Sequence, residues 1–157
     1  MPALDSSVRT IGAAVALGDE ICETRGMTSE SLHVLEESEC YVLLRSRTLG
    51  RVGVHLADQL AVLPVYYAVM DRDVVFRASP GTKLNAAVLG TRVVFEVDNA
   101  SPGWSVLLRG HAHEIREHDE VVHAQALLGH DWPAGERHQY VRISGEQITG
   151  RRLVGSA

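Results

Sequence analysis

Val74-Val75-Phe76-Arg77-Ala78-Ser79-Pro80-Gly81-Thr82-Lys83-Leu84 reads as a short β-strand that runs through a Pro-Gly turn into the first turn of a helix. That order offers a seat for an anion. The first helical N–H groups lack intrahelical partners and carry the positive end of the helix dipole, Thr82 can cap or donate a hydroxyl, and Lys83 adds a full charge. The same residues are also ordinary turn and cap formers, so the stretch taken alone leaves both uses open.

Working outward, both sides of this stretch are β in pattern. Arg51-Val52-Gly53-Val54-His55-Leu56 alternates, Ala57-Asp58-Gln59 turns, and residues 60–69 continue as a long apolar strand rich in β-branched and aromatic residues. Met70-Asp71-Arg72-Asp73 is a further turn, which makes an antiparallel meander of three strands. Downstream, residues 82–89 form a short helix stopped at Gly90, residues 92–98 alternate cleanly, and residues 104–115 form a long strand after the Asn99-Ala100-Ser101-Pro102-Gly103 cluster. Residues 118–128 are helical in pattern, residues 129–136 are a loop containing Trp132-Pro133, and residues 140–143 and 147–153 are two closing strand pieces. Upstream, Leu32, Leu35, Glu36, Glu39, Val42, Leu43 and Leu44 recur at a helical spacing, which predicts a helix opened by Ser29 or Ser31 and ending near Thr48. The expected class is mainly β with flanking helices. Six antiparallel strands remove their edges by closing into a barrel.

Composition bounds the function. The 157 residues suit one domain with a packed core, 45% apolar and 22% charged. Residues 1–30 read as an N-terminal extension, partly helical or mobile, and residues 31–157 as the folded domain. A net charge of −5 with scattered Lys and Arg speaks against a nucleic-acid partner, and no apolar run approaches a membrane span. No signal peptide is read at the N-terminus. The two cysteines, Cys22 and Cys40, build no disulfide framework, so a reducing cytoplasm is the expected location.

The order of elements then points to a family. Leu49-Gly50-Arg51-Val52-Gly53, the Pro64-Val65-Tyr66-Tyr67 strand, the Phe76-Arg77-Ala78 strand, Gly81-Thr82-Lys83, Phe95-Glu96-Val97-Asp98, Gly103-Trp104-Ser105-Val106 and Ile148-Thr149-Gly150-Arg151-Arg152 succeed one another across residues 32–153. In this the chain resembles the pyridoxamine 5′-phosphate oxidase-like superfamily of FMN-binding split β-barrels, most of all its small actinobacterial-type members. The resemblance implies a six-stranded antiparallel split barrel and a homodimer with FMN in clefts between the barrels. It implies a flavin oxidoreductase that moves hydride between a reduced nicotinamide or deazaflavin and a small molecule. F420 is the alternative cofactor, and a non-catalytic FMN- or haem-binding carrier or sensor the alternative role. Carried over by position, Pro64, Val65, Tyr66 and Tyr67 border the flavin, Arg77 and Ala78 face it from the next strand, Thr82 and Lys83 hold its phosphate, and Trp104 and Ser105 add a polar contact. Trp132 and Arg151 are weaker candidates from the other subunit. The chain departs from the parent oxidase in two places: Thr82 stands where an arginine pairs with the lysine, and the C-terminal Arg-x-His signature is missing. Both departures speak against pyridoxamine phosphate as substrate.

Other constellations are weaker. His111 and His113 share a strand face, but no Cys-x-x-Cys or His-Glu-x-x-His accompanies them, so no metal site is expected. Cys40 has Glu36 and Glu37 nearby, which oppose a thiolate, and is expected to pack. No Gly-x-Ser-x-Gly elbow supports hydrolysis.

Overall fold

The computed structural model of the chain describes residues 31–129 and 138–154. The extension predicted over residues 1–30 and the loop carrying Trp132 lie outside the described residues. In chain order the elements are β1 (Ser31–Val34), α1 (Glu37–Arg45), β2 (Leu49–Leu56), β3 (Gln59–Met70), β4 (Asp73–Ala78), α2 (Lys83–Val88), β5 (Arg92–Asn99), β6 (Trp104–Glu114), α3 (His118–Leu128), β7 (Gln139–Ile143) and β8 (Gln147–Val154).

Six strands close on themselves. The order β6-β5-β2-β3-β4-β7 is antiparallel throughout, and β7 pairs back onto β6 through Ala112↔Ile143, His113↔Arg142 and Glu114↔Val141. This is the barrel expected from the sequence. Period-two alternation sends Val52, Val54, Val65, Tyr67, Val74, Phe76, Phe95, Val97, Val106, Leu108, Val141 and Ile143 into its buried interior. α1 adds Cys40, Tyr41 and Leu44 to this core, and α2 adds Val88. α3 covers a second cluster outside the barrel wall, formed by Met70, Val75, Ile115, Ala124 and Tyr140. Over β7 and β4, the part-buried Arg142 is held by Asp73 and Glu120, and Asp73 Oδ1 accepts the Gly145 N–H at 2.8 Å.

One helix boundary is corrected. Residues 31–34, predicted as the start of a helix, are a strand that pairs with β8 from Ser31↔Val154 to Val34↔Arg151. The Leu35 N–H continues the contact by donating to the Gly150 carbonyl at 2.9 Å. A partner more than a hundred residues away overrides the local 3.6-residue spacing. The helix itself begins after Glu36, whose N–H donates to Glu39 Oε2 at 3.0 Å. β8 and β1 thus extend the sheet beyond the barrel on the free edge of β6.

Tyr67 links the barrel to α1, its buried hydroxyl donating to the Leu44 carbonyl. Burial pushes this phenol above its ordinary value of 10. A raised phenol contributes stability that is full below the unfolded-state value and is lost as pH climbs toward the folded-state one. Urea denaturation is expected to find Tyr67→Phe about 1 kcal/mol less stable at pH 7. That gap should narrow above pH 10 as the wild-type phenol ionises on unfolding. A gap that widens with alkali would contradict the assignment.

Candidate functional site

The ladder between β3 and β4 is short. It runs from Met70↔Asp73 to Tyr67↔Phe76 and stops, because β4 then turns to pair with β7 through Arg77↔Tyr140 and Ala78↔Gln139. From Val65 back to Gln59, β3 is laddered to β2 alone among the described residues, so its other edge presents main-chain groups where the two strands part. The barrel splits there.

Alternation sorts the predicted site residues around this split. Val65, Tyr67 and Ala78 point into the barrel core, so only their main chain is available to a ligand. Pro64 and Tyr66 point outward, and Arg77, half-buried, lies on the same outer face one step past the last β3–β4 pair. The Arg77 guanidinium carbon stands 5.9 Å from the centroid of the Tyr140 ring.

Three residues past β4, Gly81 takes φ +77° at the turn, a conformation that favours glycine, and Thr82 caps α2. Its Oγ1 accepts the Asn85 N–H at 3.2 Å and donates its single proton to the Ser79 carbonyl at 2.9 Å. The hydroxyl therefore works as a cap here and its proton is committed. Lys83 is the first residue of the helix, which sets its backbone beside the end of β4. Asn85 follows on the buried side of α2: its Nδ2 donates to Gln139 Oε1, while its Oδ1 is buried with no hydrogen-bond partner among the described residues.

Trp104 and Ser105 lie elsewhere. Trp104 is buried, with the Arg47 guanidinium carbon 5.9 Å from its ring centroid, and Ser105 pairs with Asp98 on one side and Arg151 on the other. Three strand spacings separate β6 from β3 by way of β5 and β2, about 14 Å. The candidate residues therefore fall into two groups: residues 64–67, 77–78 and 82–83 at the split, and residues 104–105 with Arg151 across the sheet. Between them lies an apolar outer face where Leu60, Val62 and Tyr66 are 82%, 68% and 61% exposed, next to Leu49. Arg51 crosses this face to Glu96 Oε2 at 3.0 Å and Asp98 Oδ1 at 3.2 Å, and burial raises the Glu96 carboxyl.

The remaining candidates are engaged differently. His111 Nδ1 lies 2.6 Å from Glu146 Oε1, and His113 borders a surface concavity of about 450 Å³ with Leu89, Gly90, Glu114 and Arg116. No group of three possible metal ligands occurs among the described residues. The Cys40 thiol is raised by burial and then by Glu39, Glu37 and Glu36, and its Sγ–H points to the Leu35 carbonyl. No helix among the described residues is long and apolar enough to cross a membrane. Asn85, Gln139 and Tyr140 were not among the sequence candidates. The only local signal was the alternation that opens β7.

The model of the pyridoxamine 5′-phosphate oxidase family matches residues 36–152, which include the whole barrel. The chain belongs to this family. The uncharacterized protein Rv0080 of Mycobacterium tuberculosis is similar at 33% identity over 132 residues, covering 78% of this chain and 86% of that protein. Among solved structures, the FAD binding protein from Mycobacterium smegmatis is similar at 35% identity and a TM-score of 0.72, covering 78% of this chain and all of that one. A FAD-binding protein from Mesorhizobium loti is similar at 26% identity and a TM-score of 0.68, covering 81% of this chain and all of that one. The strand whose main chain is left open at the split between β3 and β4 is the one that the family resemblance implies for the cofactor.

Proposed function

We infer that the protein is a flavin-dependent oxidoreductase that holds an FMN moiety, as FMN itself or as half of FAD, at the β3–β4 split. The observation that carries this is the open edge of β3 at Val65, with Arg77 one step past the last β3–β4 pair and α2 beginning at Lys83, five residues after the end of β4. The residues fit the group. A planar ring needs main-chain donors and acceptors at its rim with apolar surface on its faces, and Pro64, Val65 and Tyr66 supply both. A phosphate close to dianionic suits Arg77 and Lys83, and the orphaned Asn85 oxygen suits a hydroxyl donor. The names of the two FAD-binding relatives support the same class of ligand.

When bound, a flavin supplies two-electron chemistry, taking hydride from a reduced nicotinamide or deazaflavin and passing it to a small acceptor. The protein's part is to orient the ring along β3, neutralise the phosphate and exclude water with the outer apolar face. No side chain need serve as a general acid in this chemistry. Titrating the purified chain with FMN, FAD and F420 by fluorescence, then adding NAD(P)H or reduced F420, tests this reading. Binding without turnover favours a carrier or sensor, and failure to bind any of the three removes the proposal.

The same reading makes the protein a cytoplasmic homodimer. Its support is the exposed Leu49, Leu60, Val62 and Tyr66 on one face, larger than scattered surface residues account for, with one group of candidate residues on either side. Pairing of two such faces lets the Trp104–Ser105 region of one copy meet the split of the other. Val62→Glu is expected to shift sedimentation from dimer to monomer, raising the dimer Kd at least about 100-fold through a buried unpaired charge. A wild-type monomer at micromolar concentration would refute the shared-cleft arrangement.

A further inference from the structure

The geometry points to Gln139 and Tyr140, the first two residues of β7, as positioning residues for the cations that meet the flavin phosphate; this rests on the flavin reading above. Successive residues of a strand project to opposite faces, and here each face leads to one cation. On one face Gln139, paired in register with Ala78, accepts through Oε1 from Nδ2 of Asn85, two residues after Lys83 on α2. On the other, Tyr140, paired with Arg77, is buried with Met70, Val75, Ile115 and Ala124, and its ring underlies the Arg77 guanidinium at 5.9 Å. One dipeptide thereby fixes the spacing between the end of β4 and the start of α2.

α2 needs such a tether. It has six residues, too few to be stable as an isolated helix. Its described buried side chains are Asn85 and Val88. Val88 anchors its far end in the core, and among the described side chains the Asn85–Gln139 amide pair is what ties the Lys83 end to β7. Asn85 is 7% exposed, and keeping an amide there leaves its Oδ1 buried without a partner among the described residues. Stability alone favours an apolar side chain at such a position. The retained amide marks a demand for placement that packing does not meet.

Riboflavin, which lacks the phosphate, separates positioning of the cations from a general structural role. Fluorescence titration of the full-length protein with FMN is expected to show a loss of about tenfold for Gln139→Leu and for Tyr140→Leu, with riboflavin affinity unchanged. Tyr140→Phe keeps the ring and should keep wild-type affinity for both. Asn85→Ala removes the same tether and should lower FMN affinity at least as much as Gln139→Leu, while combining the two should add nothing beyond Asn85→Ala alone. The volume-conserving Gln139→Leu and Tyr140→Phe variants keep the test readable if another variant folds poorly. Equal losses for FMN and riboflavin, or unchanged FMN binding in Gln139→Leu and Tyr140→Leu, overturn the inference. A wild-type protein that binds neither ligand fails before any variant is made, and removes the flavin reading together with this one.

Discussion

Lys83→Ala is expected to weaken FMN binding about 30-fold, equivalent to about 2 kcal/mol, and to leave riboflavin binding unchanged. The asymmetry follows from where charge sits on the ligand. In the proposed arrangement the ring lies along the main chain of β3, which is open past the Tyr67↔Phe76 pair, and the phosphate lies at the junction of β4 and α2, where Arg77 ends one element and Lys83 starts the next. Thr82 cannot compensate, because its hydroxyl proton already goes to the Ser79 carbonyl and its lone pair to the Asn85 N–H. With Thr82 where the resemblance expects an arginine, the proposed phosphate binding rests more heavily on the lysine. A second consequence is salt dependence. The wild-type affinity should fall between 50 and about 500 mM salt more steeply than that of the variant, since one screened charge pair has been removed. Lys83→Arg should recover most of the loss. If Lys83→Ala lowers FMN and riboflavin affinity together, the lysine supports the fold of α2 and the phosphate lies elsewhere.

Much of the architecture was legible because it is written in local alternation. Residues 92–98, which alternate cleanly, and 104–115, read as a long strand, form β5 and β6 with bounds shifted by at most one residue. α3 spans the residues its spacing indicated. What failed is what depends on distant partners. Ser31–Val34 has helical spacing with the residues after it and becomes a strand only because β8 offers an edge. The site divides the same way. Arg77, Thr82 and Lys83 are neighbours in sequence and stay neighbours in space. Trp104 and Ser105 carry a recognisable motif, yet their distance from the split follows only from the strand order β3-β2-β5-β6. Gln139 and Tyr140 gave no signal of their own, since their significance lies in which residues of β4 and α2 they oppose.

The closure that brings β7 onto β6 depends on one residue without a side chain. A methyl group at Gly110 would sit 1.7 Å from the Ser144 carbonyl oxygen and 2.8 Å from its carbon, and backbone cannot swing aside as a side-chain tip can. Gly110→Ala is therefore expected to cost about 4 kcal/mol, above ordinary overpacking, out of a total of about 5–15 kcal/mol for a domain. The melting temperature should fall by about 12 °C. The damage is local in a telling way. Ser144 donates its N–H to the His111 carbonyl at 3.0 Å, the next pair is Ala112↔Ile143, and Glu146 Oε1 accepts the His111 N–H, so a shift at residue 144 opens the β6–β7 seam. Gly53→Ala is the control. Its added methyl would meet nothing closer than 3.7 Å, and its stability should stay within about 0.5 kcal/mol of wild type. Because Gln139 and Tyr140 stand on the strand released by the open seam, Gly110→Ala should also lose FMN affinity at temperatures below its own melting transition, where Gly53→Ala keeps it. A Gly110→Ala protein that melts with the wild type would mean that β6 and β7 are not this close, and that the barrel holds its cationic corner by some other contact.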